Sequence, residues 1–251
     1  MSILVLSEDS ADQAYDTVRE LTLSVLRLVD EKVRTHRIRF EPLENKQARR
    51  ALRANTWKSK KPEDQQAIRD LHRAIANKLA ERNGFVVFHF DGDRKWTERA
   101  KSENCSKFAG FITTIEQVLR DPTVHRGRFP RSESQISEAK ERLLPLVPFY
   151  SIEAWLYQNT ETAIVLCRDL PCGAHQAQLV AWQTDRSLLD ELEKPKDALC
   201  LRGEFNHDLA RTAFPSREVR NVGKSLATAV ATFENSTELS GALARTWAEP
   251  E

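Results

Sequence analysis

The sequence lacks several features that would place it in a specialised class of protein. Its 251 residues include four cysteines but no CxxC pair, which argues against a zinc ribbon and does not indicate a disulfide framework. The formal net charge is only +1, so an anionic partner must be bound by a local basic patch. The first residues, MSILVLSED, carry no basic segment, and their apolar run is too short for a signal peptide or a membrane span. These absences predict a reduced, cytoplasmic protein that is not embedded in a membrane.

What the chain does contain is ordinary for a soluble globular protein. Hydrophobic residues make up 40% and charged residues 30%, with 8 glycines and 10 prolines, so the composition gives no general support for disorder. The length suits one large α/β domain or one domain with an appended module. The sequence leaves the oligomeric state open, and a homo-oligomer is compatible with it.

The most informative part of the sequence is residues 84–95, GFVVFHFDGDRK. Residues 85–90 are an apolar and aromatic run around one histidine, which is typical of a parallel strand buried on both faces. Asp91 and Asp93 follow it, one residue apart around Gly92. Ligands of open α/β sheets bind beyond the carboxyl ends of the strands, so these carboxylates could converge on a hard cation. The alternative is that Asp-Gly-Asp is only a polar turn.

Strands and helices are predicted to alternate on both sides of this segment. Before it, the patterns predict a strand at residues 3–6, a helix at 11–33, a peripheral strand at 36–43 and a helix at 62–82. After it, they predict a helix at 108–119, a long loop at 123–135, a helix at 137–144 and a strand at 146–150. Ser151 is expected to cap the helix that follows.

The remainder is predicted to be helical, at residues 174–193, 217–233 and 236–247. The alternation predicts an α/β fold with a mostly parallel, Rossmann-like sheet and helices on both faces. The predicted domains are an α/β domain over residues 1–165 and a helical C-terminal extension over 166–251 that packs on it.

Four carboxylates are predicted to lie along one edge of this sheet, because each follows a strand. They are Glu8 after the first strand, Asp91 and Asp93 after the third, and Glu153 after the fourth. Mg²⁺ prefers oxygen ligands, and one or two carboxylates together with substrate phosphates can complete its shell. The sequence therefore predicts a site for Mg²⁺ or Mn²⁺ at this edge, suited to displacement at a phosphodiester.

The order of these motifs resembles a known family. A first strand ending in Glu8, followed after two helices by a hydrophobic strand ending in DxD, resembles the Toprim domain of topoisomerases, primases and overcoming-lysogenization-defect nucleases. The later segment IEAWL, residues 152–156, resembles a Toprim-like group of bacterial proteins, many encoded beside ATPases in phage-defence or mobile-element loci. The similarity covers residues 1–165. A glycine soon after the glutamate is usual in that family, whereas Asp9 and Ser10 stand here.

This resemblance implies a metal-dependent nuclease that cleaves DNA or RNA, acting as the effector of an anti-phage system with an ATPase partner. It implies that Glu8 is a general acid or base or a metal ligand, that Asp91 and Asp93 bind the metal, and that Glu153 supports the metal shell. One alternative is a non-catalytic Toprim-like subunit that binds or assembles with an ATPase. Another is a different DxD enzyme, such as a phosphotransferase or a nucleotide-sugar transferase.

Basic residues supply the candidate contacts to nucleic acid. Residues 34–61 contain ten Lys or Arg against two Glu, which is either a solvated surface or a phosphate-contacting arm. The candidates are Arg49, Arg50, Arg53 and Lys58 in this segment, and Arg94 and Lys95 directly after the DxD turn.

Lys224 is a further candidate with two interpretations. Residues 222–225, VGKS, resemble the end of a Walker A loop, but Glu218 stands where that motif requires its first glycine, so we reject it. Lys224 is then either an exposed helix lysine or, as in some Toprim nucleases, a catalytic cation near the scissile phosphate. His89, Trp155 and Trp182 are expected to belong to the core.

Overall fold

The computed structural model describes residues 1–8, 13–121, 131–168, 175–195, 201 and 203–247. Within them, short apolar segments form one four-stranded sheet of β1 (Ser2–Ser7), β2 (Arg39–Pro42), β3 (Gly84–His89) and β4 (Leu143–Leu146). All neighbouring strands are parallel, in the order β2-β1-β3-β4. β1 and β3 are buried along their whole length, as central strands of a parallel sheet are.

Helices account for most of the remaining described residues. They are α1 (Ala14–Val29), α2 (Lys46–Arg49), α3 (Pro62–Ala80), α4 (Glu103–Arg120), α5 (Glu133–Glu141), α6 (Glu153–Leu156), α7 (Thr160–Arg168), α8 (Gln176–Thr184), α9 (Asn206–Arg211), α10 (Ser216–Val222), α11 (Lys224–Glu234) and α12 (Thr237–Trp247).

Alternation along the strands divides the core into two layers, because successive side chains of a strand point to opposite faces. Ile3 and Val5 of β1 pack in one layer with α1 and the C-terminal helices. Leu4 and Leu6 pack in the other layer with α3, α4 and α5. The predicted α/β fold, with a parallel sheet, helices on both faces and a helical C-terminal extension, is confirmed.

The strand order fixes where a ligand crevice can form. From β1 the chain passes through α1 to β2 on one side, whereas from β3 it passes through α4 and α5 to β4 on the other side. The direction of the connections therefore reverses between β1 and β3. In doubly wound sheets this reversal opens a crevice at the carboxyl ends of the two strands.

The fourth strand lies earlier in the chain than predicted. β4 covers residues 143–146, with Leu143 opposite Val86 and Leu146 opposite His89, so residues 147–150 form the loop that follows it. The helix predicted at 137–144 is α5 at 133–141, whose capping box at Ser132 starts it four residues earlier. Residues 123–130 of the predicted long loop lie outside the described part of the chain.

Three helix predictions also require correction. The segment predicted as one helix at 217–233 is divided at Gly223, where a Cβ atom would lie 2.6 Å from the carbonyl oxygen of Val219. The helix predicted at 174–193 ends at Thr184, and α9 was not predicted. Ser151 does not cap α6, because Ile152 holds that position and the Ser151 hydroxyl donates to the Glu153 side chain. Over the described residues, no helix is both long and apolar enough to cross a membrane.

Candidate functional site

A pocket of about 390 Å³ opens at the carboxyl ends of β1 and β3, which is the crevice that the topology predicts. We call it the carboxylate pocket because Glu8, Asp91 and Glu153 all line it. Arg53, Asn55, His89, Asn104, Tyr150 and Lys194 also contribute to its walls. The structure thus brings three of the four predicted carboxylates to one cavity.

Glu8 connects three segments of the chain at the base of this pocket. Its Oε1 accepts a hydrogen bond from the Ala54 N–H and its Oε2 accepts one from the Asp91 N–H, both at 2.9 Å. Burial raises the pKa of the Glu8 carboxyl above its ordinary value, while the two N–H groups act in the opposite direction. A carboxyl with a raised pKa is suited to transfer a proton.

Asp91 is fixed by contacts on both its side chain and its backbone. Its Oδ1 accepts a hydrogen bond from the Ile152 N–H at 3.1 Å and lies 3.6 Å from His89 Nε2. The Asn104 side-chain amide donates to the Asp91 carbonyl oxygen at 2.9 Å. His89 is buried, as predicted for a core residue, and it also lines the pocket.

The turn after β3 places Asp93 next to the N-terminus of α4, close enough to Glu8 for its charge to add to the effect of burial on the Glu8 pKa. Gly92 is packed so closely that a Cβ atom would lie 2.6 Å from the Phe149 ring, and its N–H donates to the Pro148 carbonyl oxygen. Asp93 has a positive φ of 53°, and its Oδ1 accepts a hydrogen bond from Ser102 Oγ at 2.8 Å. Asp93 is therefore bonded to the N-cap residue of α4 and does not line the pocket. Its assignment as a metal ligand stays a prediction.

Glu153, the first residue of α6, lines the pocket. Its Oε2 accepts a hydrogen bond from Ser151 Oγ at 2.6 Å, and its Oε1 accepts one from the Asn206 side-chain amide at 3.2 Å. Asn206 is the first residue of α9, so Glu153 also connects the sheet to the C-terminal helices.

A second cavity, of about 680 Å³, adjoins the carboxylate pocket. We call it the basic groove because Lys46, Arg49, Arg50, Arg53 and Lys61 line it. The groove shares Arg53 and Asn55 with the carboxylate pocket, so the two cavities are neighbours. Three of the predicted nucleic-acid contacts, Arg49, Arg50 and Arg53, thus meet in one groove that borders the carboxylates.

Two of the groove arginines also have partners within the chain. Arg49 Nε donates to the Leu43 carbonyl oxygen at 2.6 Å, and Arg50 lies 3.2 Å from Asp64 Oδ1. These contacts orient the guanidinium groups in the groove. The fourth candidate of this segment, Lys58, lines a different cavity, between α3 and α4.

The remaining candidates do not line the carboxylate pocket. Arg94 donates to the Asp93 carbonyl oxygen, and Lys95 precedes a short 3₁₀ helix at residues 96–101. Lys224 begins α11, and its Nζ lies 3.4 Å from Glu191 Oε1. Their assignments to phosphate binding and catalysis stay predictions. Trp155 and Trp182 are buried, as predicted.

The side chains of the pocket fit a hard divalent cation. The donors are carboxylate oxygens and the amide groups of Asn55 and Asn104, which match the preference of Mg²⁺ and Mn²⁺ for oxygen ligands. Within the described ranges, no three His, Cys, Asp or Glu side chains are close enough together to form a compact metal site. A cation held by one or two of these carboxylates, with water and substrate oxygens, remains consistent with the donors present.

Comparison with protein-family models, with curated proteins and with solved structures found no match to this chain.

Four residues that complete the pocket were not predicted from the sequence: Asn55, Asn104, Tyr150 and Lys194. Asn55 lies in the basic segment, Asn104 lies in the first turn of α4, and Tyr150 and Lys194 lie outside the helices and strands. None of the four belongs to a local motif that could have identified it.

Proposed function

We propose that this protein is a metal-dependent nuclease that hydrolyses phosphodiester bonds of DNA or RNA. One observation supports the proposal above all others: the carboxylate pocket, at the topological switch point of the sheet, directly adjoins the basic groove. Carboxylates beside a phosphate-binding surface are what a metal-assisted displacement at phosphorus requires.

The roles of the residues follow from their positions. Asp91 and Glu153 would hold Mg²⁺ or Mn²⁺, which when bound activates water and stabilises negative charge on the phosphate. Glu8, with its raised carboxyl pKa, would accept or donate the proton that moves during displacement. Arg53 would orient the phosphate, since it borders both cavities. Asp93 would join the metal shell through Oδ2, since its bond from Ser102 is to Oδ1. Lys224 would approach the scissile phosphate by leaving Glu191.

The test uses purified wild-type protein and the Asp91→Ala, Asp93→Ala double variant. Each is incubated with plasmid DNA, single-stranded DNA and structured RNA, in Mg²⁺, Mn²⁺ or EDTA. We expect cleavage of at least one substrate that requires the metal and is lost in the double variant. Asp208→Asn, which alters a partly exposed carboxylate on α9, is the control that should leave cleavage unchanged. Cleavage that persists in EDTA or in the double variant would contradict the proposal.

A non-catalytic subunit is the second candidate, and one feature favours it. Glu8, Asp91, Asp93 and Glu153 each accept a hydrogen bond from another residue of the chain, so all four have a structural role. On this account the Toprim-like domain would bind or assemble with an ATPase. Metal-independent association with that partner, together with unchanged function of Asp91→Ala in cells, would favour this candidate over the nuclease.

The cellular setting is proposed from the Toprim resemblance alone. On that basis the protein would act in the cytoplasm as the effector of an anti-phage system, alongside an ATPase encoded next to it. Its dependence on a partner is tested by repeating the cleavage assay with the purified ATPase and ATP. A nuclease held inactive by its partner should show cleavage that changes on addition of the ATPase, whereas an independent nuclease should not.

A further inference from the structure

A third cavity, of about 440 Å³, lies between α3 and α4, and the roles proposed above do not use it. We call it the aromatic pocket because Trp57 and Phe111 line it. Its volume is within the range of roughly 300–1,000 Å³ that is usual for small-molecule sites. Ser59 lines both this pocket and the basic groove, so the two cavities are neighbours.

The aromatic walls of this pocket are held in place. The Trp57 ring centroid lies 5.2 Å from that of Phe111 and 5.6 Å from that of Phe90. The Trp57 indole N–H donates to the Ala51 carbonyl oxygen at 2.7 Å, which fixes the orientation of the ring. A rigid aromatic side chain at a surface pocket is suited to stack on a planar ligand.

His72 provides a buried polar group in the same pocket. Its side chain is 5% exposed, and its ring centroid lies 4.2 Å from that of Phe111. Nε2 has no hydrogen-bond partner among the described residues, which is unusual for a buried polar atom. Burial lowers the pKa of His72 to about 4, so the ring is neutral near pH 7 and can pair with a polar edge without carrying charge. Because Nε2 itself is not exposed, such pairing requires the ring to turn toward the pocket.

Gly110 lines this pocket and is exposed. It lies in the interior of α4, where glycine is unfavourable relative to alanine, yet a Cβ atom built there meets nothing within 4 Å. Close packing therefore does not require glycine at this position. Larger side chains at residue 110 would extend into the cavity between the two helices.

Positive charge surrounds the opening. Lys58, Arg69 and Lys107 line the pocket, and among the described residues no acidic side chain lines it, although Lys107 Nζ lies 3.4 Å from Glu103 Oε2. The ligand that suits these features is planar and aromatic, carries polar edges, and is attached to negative charge.

We propose that the aromatic pocket binds a nucleobase of a single-stranded or locally unpaired nucleic acid whose backbone lies in the basic groove. The inference rests on the proposed function, because it names the form of substrate that the nuclease would accept. Bases of an intact duplex are stacked on each other, so only an unstacked base could enter the pocket.

The experiment measures binding rather than cleavage. The full chain carrying Asp91→Ala is titrated in EDTA into two fluorescent oligonucleotides of about ten nucleotides, one with normal bases and one with abasic residues throughout. We expect the normal oligonucleotide to bind roughly 5- to 150-fold more tightly, as base stacking on an aromatic side chain would give. Gly110→Phe should remove most of this difference by filling the pocket, and Gly110→Ala should retain it.

His72→Phe tests the polar group while preserving the aromatic contact with Phe111. It should reduce binding of the normal oligonucleotide by roughly 2- to 10-fold and leave binding of the abasic one unchanged. Circular dichroism confirms that each variant is folded.

The outcomes separate this inference from the proposed function. Equal binding of the two oligonucleotides, or no binding of either, would overturn the nucleobase pocket, and an aromatic side chain of a protein partner would then be the better occupant. A base preference removed by Gly110→Phe, in a wild-type protein that cleaves nothing with Mg²⁺ or Mn²⁺, would support the pocket and contradict only the nuclease. Cleavage without base preference would support the nuclease and contradict only the pocket.

Discussion

At the scale of single residues, the carboxylate pocket is built from side chains that bond to the backbone of another segment. Glu8 follows β1 but accepts hydrogen bonds from Ala54 and Asp91, and Asp91 follows β3 but accepts one from Ile152. Hydrogen bonds between backbone N–H groups and ionised carboxylates are stronger than those between neutral groups. These residues therefore position the loops of the pocket as well as presenting oxygen atoms to it.

Gly92 offers a test of how tightly the DxD turn packs against the loop after β4. Gly92→Ala would place a Cβ atom 2.6 Å from the Phe149 ring and 2.9 Å from the Pro148 carbonyl oxygen. We expect the free energy of unfolding to fall by about 1–3 kcal/mol, measured by urea denaturation. The matched control is Gly110→Ala in α4, where nothing obstructs the methyl group and a gain of about 0.5–1 kcal/mol is expected. An unchanged free energy of unfolding in Gly92→Ala would contradict the close packing of Gly92 against Phe149 and Pro148.

His72 predicts how stability depends on pH. Its pKa is lowered by burial from 6.5 to about 4, so as the pH falls below 6.5 the unfolded chain takes up a proton before the folded chain does. This costs the folded state about 3 kcal/mol by the time the pH reaches 4. Between pH 6.5 and 4, the wild-type free energy of unfolding should therefore fall more steeply than that of His72→Phe. Parallel pH profiles from urea denaturation would show that His72 is not a neutral buried histidine.

At the scale of secondary-structure elements, a buried aspartate joins the C-terminal helices to the rest of the fold. Asp190 is fully buried, and its side chain accepts hydrogen bonds from the Lys224 N–H at 2.5 Å and from both the N–H and the hydroxyl of Ser225. Asp190 thus caps the first turn of α11 from a different segment. Trp155 Nε1 donates to the same hydroxyl at 2.6 Å, which connects α6 to this network.

Removing this cap should destabilise the protein strongly. Asp190→Ala leaves three donors at the start of α11 without an acceptor, and we expect a loss of about 2–4 kcal/mol in the free energy of unfolding. The control, Asp208→Asn, alters a partly exposed aspartate 3.7 Å from Arg211 and should cost less than about 1 kcal/mol. Equal effects of the two substitutions in thermal or urea denaturation would contradict the capping role.

The elements show what local sequence patterns could and could not predict. β1 and β3 were predictable because both are apolar runs flanked by polar turn residues. β4 was misplaced because Leu143 and Leu144 continue the apolar pattern of the preceding helix, and the pairing with β3 that fixes the strand is not local. The break at Gly223 was missed because it depends on the nearby Val219 carbonyl oxygen and on the Asp190 cap, which lies 33 residues before the break.

The candidate site could also be predicted only in part from the sequence. A parallel sheet brings the ends of its strands to one edge, which is why Glu8, Asp91 and Glu153 could be expected together. The direction of the Asp93 side chain could not be predicted, because a hydrogen bond from Ser102 determines it. The aromatic pocket was also missed, since it forms only when α3 and α4 pack side by side.

At the scale of the whole molecule, three adjoining cavities extend from the carboxyl edge of the sheet to the cleft between α3 and α4. Residues 46–61 border all of them, since Arg53 lines the carboxylate pocket, Lys46 the basic groove and Trp57 the aromatic pocket. A net charge of +1 gives little long-range attraction to nucleic acid. Binding should therefore depend on this concentrated basic surface.

The salt dependence of binding tests this surface. If Arg53 contacts a phosphate, Arg53→Ala should weaken binding of single-stranded DNA and reduce the slope of log K against log salt by about 0.7. Arg73→Ala, which alters an exposed arginine of α3 outside the three cavities, is the control and should leave the slope unchanged. Fluorescence anisotropy at several salt concentrations measures both. If Arg53→Ala and the wild type show the same slope, Arg53 does not contact a phosphate of the bound DNA.

Catalysis in the carboxylate pocket is tested by the rate at which a labelled single-stranded oligonucleotide is cleaved as Mn²⁺ is added. The wild type, Glu8→Gln, Asp91→Asn and the control Asp208→Asn are compared under identical conditions. We expect Mn²⁺-dependent cleavage that falls by at least about 100-fold in Glu8→Gln and Asp91→Asn and is unchanged in Asp208→Asn. Wild-type cleavage that Glu8→Gln and Asp91→Asn leave intact would contradict catalysis in the carboxylate pocket.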